Sequence, residues 1–168
     1  IGAIIGVLYA YGKNGTAIRA LVDDLTGGNS ESWIDALSEQ RVLRWLAFLL
    51  PELRRGGLLN PEGLMDFLQE TVGVTRFDQL QIPLQVVATD FWKREAVVLN
   101  QGDLMPAVQA SMALPGVFAP VDIGGRLMVD GGLVNPVPYD LLQPDCDFTI
   151  AVDVTGMRTP DEDPTPTY

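Results

Sequence analysis

Asp130, followed by Gly131 and Gly132, is the pattern in this sequence best suited to chemistry. It follows an extended apolar run from Arg126 to Val129, so its carboxylate stands at the carboxyl end of a strand, where open α/β sheets place their ligands. The glycine pair lets the backbone turn sharply and approach another group closely. A carboxylate held there can orient a base, ligate a metal or act as a base itself. The same residues suit an aspartate that caps its own turn with its side chain. Spacing alone leaves both readings open.

The other candidates are weaker. The chain of 168 residues has no His and one Cys, so it contains no Ser-His-Asp triad, no Cys-His dyad and no intrachain disulfide. Ser111 lies between Ala110 and Met112 without the strand and glycines of a nucleophile turn, and reads as a packed residue bonded to the preceding helical turn. Asp90 and Asp153 end or interrupt apolar strands, and such residues more often bond backbone amides than line a site. Cys146, between Asp145 and Asp147, is poorly placed as a nucleophile. The pairs Gly27-Gly28 and Gly56-Gly57 lack a phosphate loop's Lys-Ser/Thr ending and are turns. With 22 acidic against 11 basic side chains and a net charge of −11, the chain offers no stripe for nucleic acid. At 47% hydrophobic it is too apolar for disorder. Its longest apolar runs fall short of the roughly 20 residues of a spanning helix.

The elements that must position Asp130 follow from periodicity. Gly2 to Tyr11 is an apolar helix with small residues at Gly2, Ala3, Gly6 and Ala10, and Gly12 closes it. Thr16 is the expected cap of a helix over 17–25. The stretch from Glu31 to Leu53 reads as unusually apolar helix, in one or two pieces and interrupted by Pro51, with Arg41 and Arg44 within it and Arg54 and Arg55 at its end. Asn60 and Pro61 start another helix, which Gly73 ends. The pattern then turns extended. Strands are expected from Leu84 to Ala88 and from Glu95 to Leu99, with a hairpin turn over 91–94. Asp103 caps a helix from Leu104 to Met112. Strands from Phe118 to Ile123 and from Arg126 to Val129 flank the Gly124-Gly125 turn. Residues 138–142 form at most a short helix, and Phe148 to Val154 is expected as a last strand buried on both faces. This alternation predicts a three-layer α/β domain, with a mostly parallel central sheet and helices on both faces, over residues 1–157. Residues 158–168 are an acidic, proline-rich tail or linker.

Several ordered motifs resemble the patatin-like phospholipases of bacteria. The segment from Val121 to Pro138 is similar to that family's catalytic-aspartate region. Ala88-Thr89-Asp90, Gly102, the run from Ala110 to Gly116 and the run from Ile150 to Val154 occur in the family's order. The likeness is close over 1–12 and 84–154 and looser over 15–80. By this resemblance, Ile1 and Gly2 would be the last two residues of a Gly-x-Ser-x-Gly nucleophile elbow. The serine would then precede Ile1, and the domain given would lack that serine and its upstream glycine-rich loop.

The resemblance implies a lipid acyl hydrolase, of phospholipase A or lysophospholipase type, that cleaves esters through a Ser-Asp dyad. Asp130 would be the base, Gly131, Gly132 and Gly2 its motif support, and the Ile1 N–H an oxyanion donor. No metal and no cofactor are required. The substrate would be a phospholipid or another acyl ester. Trp33, Trp45 and Phe48 with the nearby arginines offer peripheral membrane contact from Trp33 to Leu53, set against a helix pair that covers the core or joins copies of the chain. The implied location is cytoplasmic or peripheral to a membrane. The alternative from another class is a binding or regulatory module that keeps the fold without catalysis.

Overall fold

The computed structural model describes residues 1–26, 61–142 and 146–153. It divides into two compact units, Ile1–Pro136 and Val137–Tyr168. Within the first unit, α1 (Gly2–Ala10) buries Val7, Leu8 and Ala10. A Cβ on Gly6 would lie 3.1 Å from Leu84 Cδ1, so the small residue permits close packing against the chain leading into the sheet. Gly12, at φ 109°, lets the chain leave the helix while its N–H donates to Tyr9 O at 2.9 Å.

Helix α2 (Gly15–Thr26) starts earlier than expected. Its cap is Asn14, whose Oδ1 accepts the Ala17 N–H at 2.9 Å, and Thr16 lies inside the first turn. The side-chain oxygen of Asn14 has the reach to an amide three residues on that a cap requires, and an asparagine outranks a threonine there. Helix α3 (Glu62–Val72) begins after Pro61 and ends at Gly73, which is left-handed at φ 66° and donates its N–H to Gln69 O at 2.8 Å. Helix α4 (Leu104–Ser111) follows Asp103, but that carboxylate makes no capping bond and lies 3.6 Å from Arg76 instead. The Leu104 N–H is taken by Thr75 O at 2.8 Å.

These helices share one core. Val7 and Leu8 of α1, Ile18 of α2, Leu68 and Val72 of α3, and Leu104 and Val108 of α4 pack together with Phe77 and Val86. Burying aliphatic side chains of this size stabilises by roughly 1.5–3 kcal/mol each relative to exposure.

The sheet contains β1 (Val86–Asp90), β2 (Glu95–Leu99), β3 (Val121–Ile123) and β4 (Arg126–Asp130), in the order β2-β1-β4-β3. β1 is buried along its whole length. All three pairings are antiparallel, which corrects the expectation of a mostly parallel sheet for the described strands. The connections dictate this. A turn over 91–94 and the Gly124-Gly125 pair, both at positive φ, are too short for the crossover that parallel neighbours need. The Asp122 carboxylate accepts the Gly125 N–H at 2.8 Å and closes the second turn. On one face of the sheet, Ala88 and Met128 pack against Ala110 of α4, with Val97, Val121 and Ile123 beside them. The architecture is α/β.

In the second unit, Tyr139–Leu141 forms one turn of 3₁₀ helix. The buried strand expected from Phe148 to Val154 is not formed over 148–153, where Phe148, Ile150 and Val152 are exposed. Apolar side chains favour burial, but a strand also needs a neighbour for its N–H and C=O groups, and none forms among the described residues of that unit. Val154, the tail over 158–168 and the stretch from Trp33 to Leu53 lie outside the described residues.

Leu104 is fully buried in the core that α1 to α4 share. Leu104→Ala is expected to destabilise the fold by about 2–5 kcal/mol, read as a lower midpoint in urea at unchanged slope. An unchanged midpoint would show that this core does not hold the helices together.

Candidate active site around Asp130

Asp130 is the last residue of β4, paired opposite Ala88 in the middle of β1. Its N–H donates to Ala113 O at 3.0 Å, beyond the end of α4. Its C=O accepts the Thr89 hydroxyl at 2.9 Å. Its carboxylate Oδ1 accepts the Gly132 N–H at 2.7 Å, closing the 3₁₀ turn Gly131–Leu133. The backbone is thus fixed from both sides and one carboxylate oxygen is held. The second oxygen, Oδ2, takes no hydrogen bond among the described residues, and the residue is half-buried. The turn-capping reading is met by one oxygen, and it leaves the other without a partner among the described residues.

The two glycines serve different ends. Gly131 is pressed against β1: a Cβ there would strike the Val87 carbonyl, 2.7 Å from its carbon. Gly132 faces the carboxylate, and a Cβ would lie 3.1 Å from Asp130 Oδ1. Leu114, next to the carbonyl that holds Asp130, and Leu133 and Val134, in the turn after it, are exposed. Exposed apolar side chains thus stand on the residue after the Asp130 N–H acceptor and in the turn that follows Asp130.

Ile1 stands at the N-cap of α1, exposed, with its C=O accepting the N–H groups of Ile4 and Ile5 at 3.1 and 3.2 Å. A Cβ on Gly2 would meet nothing within 4 Å among the described residues, and the close approach of α1 to a neighbouring segment is at Gly6. Two contacts set the direction of α1. Ala10 O accepts the N–H groups of Gln81 and Ile82, and Gly6 lies against Leu84. The helix therefore runs opposite to the segment 81–84 that enters β1.

Asp90, the other strand-end aspartate, is committed to structure. It is 3% exposed. Its Oδ1 accepts the N–H groups of Trp92 and Lys93 at 3.1 and 3.0 Å, and its Oδ2 accepts Arg126 Nε at 2.9 Å. The Lys93 amide, with Arg126 and the Trp92 amide, holds this carboxyl below its ordinary value, against burial, which raises it. Sequence reasoning missed Arg126 as its partner, because nothing marks the pair until strand register sets Arg126 one diagonal step from Asp90. Ser111 ends α4 and stands in no elbow. Asp153 and Cys146 belong to the second unit, where both are exposed. A cleft of about 650 Å³, lined by Arg76, Leu80, Pro83, Gln85, Asn100 and Gln101 among others, opens by the amino end of β1 and does not include Asp130. Among the described residues no group of carboxylates or Cys is arranged to hold a metal.

The family model of patatin-like phospholipases matches residues 1–142. An uncharacterised NTE family protein of Mycobacterium tuberculosis is 33% identical over 159 residues, covering 94% of this chain and 40% of the relative. A second uncharacterised NTE family protein of that organism is 29% identical over 161 residues, covering 95% of this chain and 25% of the relative. The lysophospholipase NTE1 of Saccharomyces cerevisiae is 27% identical over 165 residues, 96% of this chain but 9% of its own length. The chain thus spans less than half the length of each of these relatives.

Two outcomes are expected from this geometry. Gly131→Ala forces backbone against backbone, so it should cost about 1–3 kcal/mol, whereas Gly132→Ala meets only a side-chain oxygen and should cost less. Equal melting temperatures for the two variants would contradict the close approach at Val87. Asp90→Asn should melt below the wild type at neutral pH. Because the folded-state pKa of Asp90 is depressed, its contribution is present above the ordinary value of 3.8 and is lost as pH falls through the lower, folded value. The gap between the two melting curves should therefore close on acidification below 3.8, and a gap constant with pH would refute the linkage.

Proposed function

The chain belongs to the patatin-like phospholipase family, and on that premise we propose that it supplies the base of a lipid acyl hydrolase of phospholipase A or lysophospholipase type. The observation that carries the reading is Asp130: a strand-end carboxylate with its backbone bonded on both sides, one oxygen held by Gly132 and the other without a hydrogen bond among the described residues. The exposed apolar side chains of Leu114, Leu133 and Val134, on the segments next to Asp130 in the chain and its hydrogen bonding, fit a substrate that brings an acyl chain. The name of the yeast relative, a lysophospholipase, agrees in class.

In the proposed reaction the nucleophile is the serine that the family pattern sets immediately before Ile1. Asp130 Oδ2 takes the hydroxyl proton as the serine oxygen attacks the ester carbonyl. The collapsing intermediate expels the alcohol, which receives that proton from Asp130. Asp130 then deprotonates a water that attacks the acyl-serine, and the fatty acid leaves as the serine regains its proton. The N–H of Ile1, at the N-terminus of α1, is a donor for the oxyanion, and the positive end of the helix favours the negative charge. With no His in the chain, fixing the carboxylate by backbone bonds replaces the orientation an imidazole would need. The domain is taken as 1–157 with a tail over 158–168, acting in the cytoplasm or at a membrane surface. Among the described residues no helix is long and apolar enough to cross a membrane.

Asp130→Asn, in the native polypeptide that carries this chain, should lower hydrolysis of a water-soluble ester by roughly 10²–10⁴-fold while circular dichroism stays unchanged. Fluorophosphonate labelling followed by peptide mapping should mark the serine before Ile1 in the wild type. Near-wild-type turnover by the variant would overturn the dyad. Absence of label and turnover in the wild type would favour a binding module on the same fold.

A further inference from the structure

The turn joining β1 to β2 carries Phe91, Trp92, Lys93 and Arg94. Its backbone is unusually well tied. The Phe91 N–H donates to Leu127 O at 2.9 Å, the Arg94 N–H to Asp90 O at 2.8 Å, and those of Trp92 and Lys93 to the Asp90 carboxylate. Arg126 in turn holds that carboxylate from β4. A turn so braced is rigid, yet it spends its side chains on solvent. Trp92 is 77% exposed and Phe91 41%, the two rings meeting edge to face at 5.0 Å. Lys93 and Arg94 are exposed and form no ion pair among the described residues. Arg94 sits in the left-handed region at φ 60°, an unfavourable place for a long side chain where glycine would be at ease.

We propose that this tip is an interfacial anchor that docks on anionic phospholipid surfaces. An aromatic pair beside two cations is the composition that settles at the level of lipid headgroups, the rings among the upper acyl carbons and the cations on phosphate. Charge complementarity selects the partner. Asp90 neutralises Arg126, so Lys93 and Arg94 against Glu95 leave one positive charge in excess at the tip of a chain whose net charge is −11. Most of the molecule is repelled by an anionic surface, and the tip is attracted to it.

The test is co-sedimentation of the full chain with vesicles of phosphatidylcholine alone, or of phosphatidylcholine with phosphatidylglycerol in equal parts, at low salt. The wild type should bind the anionic vesicles at least tenfold more tightly than the neutral ones. Lys93→Gln with Arg94→Gly should remove that preference; the glycine suits the left-handed position, so the fold is kept. Trp92→Ala should weaken binding to anionic vesicles at least tenfold. In a Trp33→Phe, Trp45→Phe background the remaining Trp92 emission should shift to the blue on binding. In the native polypeptide that carries this chain, hydrolysis of a soluble ester should be the same in all tip variants, so a failed anchor and a failed dyad read out separately. Wild-type protein that ignores both vesicles, or tip variants that bind as well as the wild type, would overturn the proposal; in the first case a protein would be the partner to seek.

Discussion

The backbone of Gly131 lies so close to the Val87 carbonyl that no side chain fits between them. The placement of Asp130 depends on that approach. It sets the end of β4 flat on the middle of β1, in register with Ala88. The register brings the Thr89 hydroxyl to the Asp130 carbonyl from the opposite face of β1 and leaves the Asp130 N–H for Ala113, just past α4. A β-carbon at residue 131 would lift the turn and stretch all of these bonds together. The glycine is therefore required by packing at this point, since its backbone is not in the left-handed region.

The two strand-end aspartates show how environment divides roles between identical side chains. Asp90 is nearly sealed from solvent, with both oxygens bonded and a guanidinium beside it. A carboxylate so satisfied is a poor base, because taking a proton would forfeit several charge-assisted bonds. Asp130 has one oxygen bonded to an amide and is half-buried. Its other oxygen takes no hydrogen bond among the described residues. The sheet thus commits one aspartate wholly to a turn and only one oxygen of the other.

Local signals in the sequence reported local structure well. Gly12 and Gly73 end helices where their left-handed freedom is needed, and Gly124-Gly125 makes the tight hairpin its type demands. The strand from Glu95 to Leu99 and the strand-end position of Asp130 were also legible. What failed depended on neighbours far along the chain. Strand direction follows from which strands meet, and a continuous apolar run such as β1 reads the same in parallel and antiparallel surroundings. Phe148 to Val152 shows the same limit, since its pattern predicts burial but supplies no partner. The cap at Asn14 was missed because Asn14 and Thr16 are both capping residue types two positions apart, and only the helix start at Gly15 decides between them. Arg126 was invisible as a partner of Asp90 because the register that joins them spans the whole of α4 and β3.

The Asp90 network also explains why one short turn can combine rigidity with exposure. Exposed aromatic side chains forfeit burial, and a turn bearing them would ordinarily relax toward covering them. Here the Asp90 carboxylate takes two of the turn amides, β4 takes a third through Leu127, and Arg126 neutralises the charge that does so. The backbone cannot move to bury Trp92 without surrendering bonds to a nearly sealed carboxylate. Both ends of β4 are thereby fixed through β1, one by a carboxylate and one by a glycine contact.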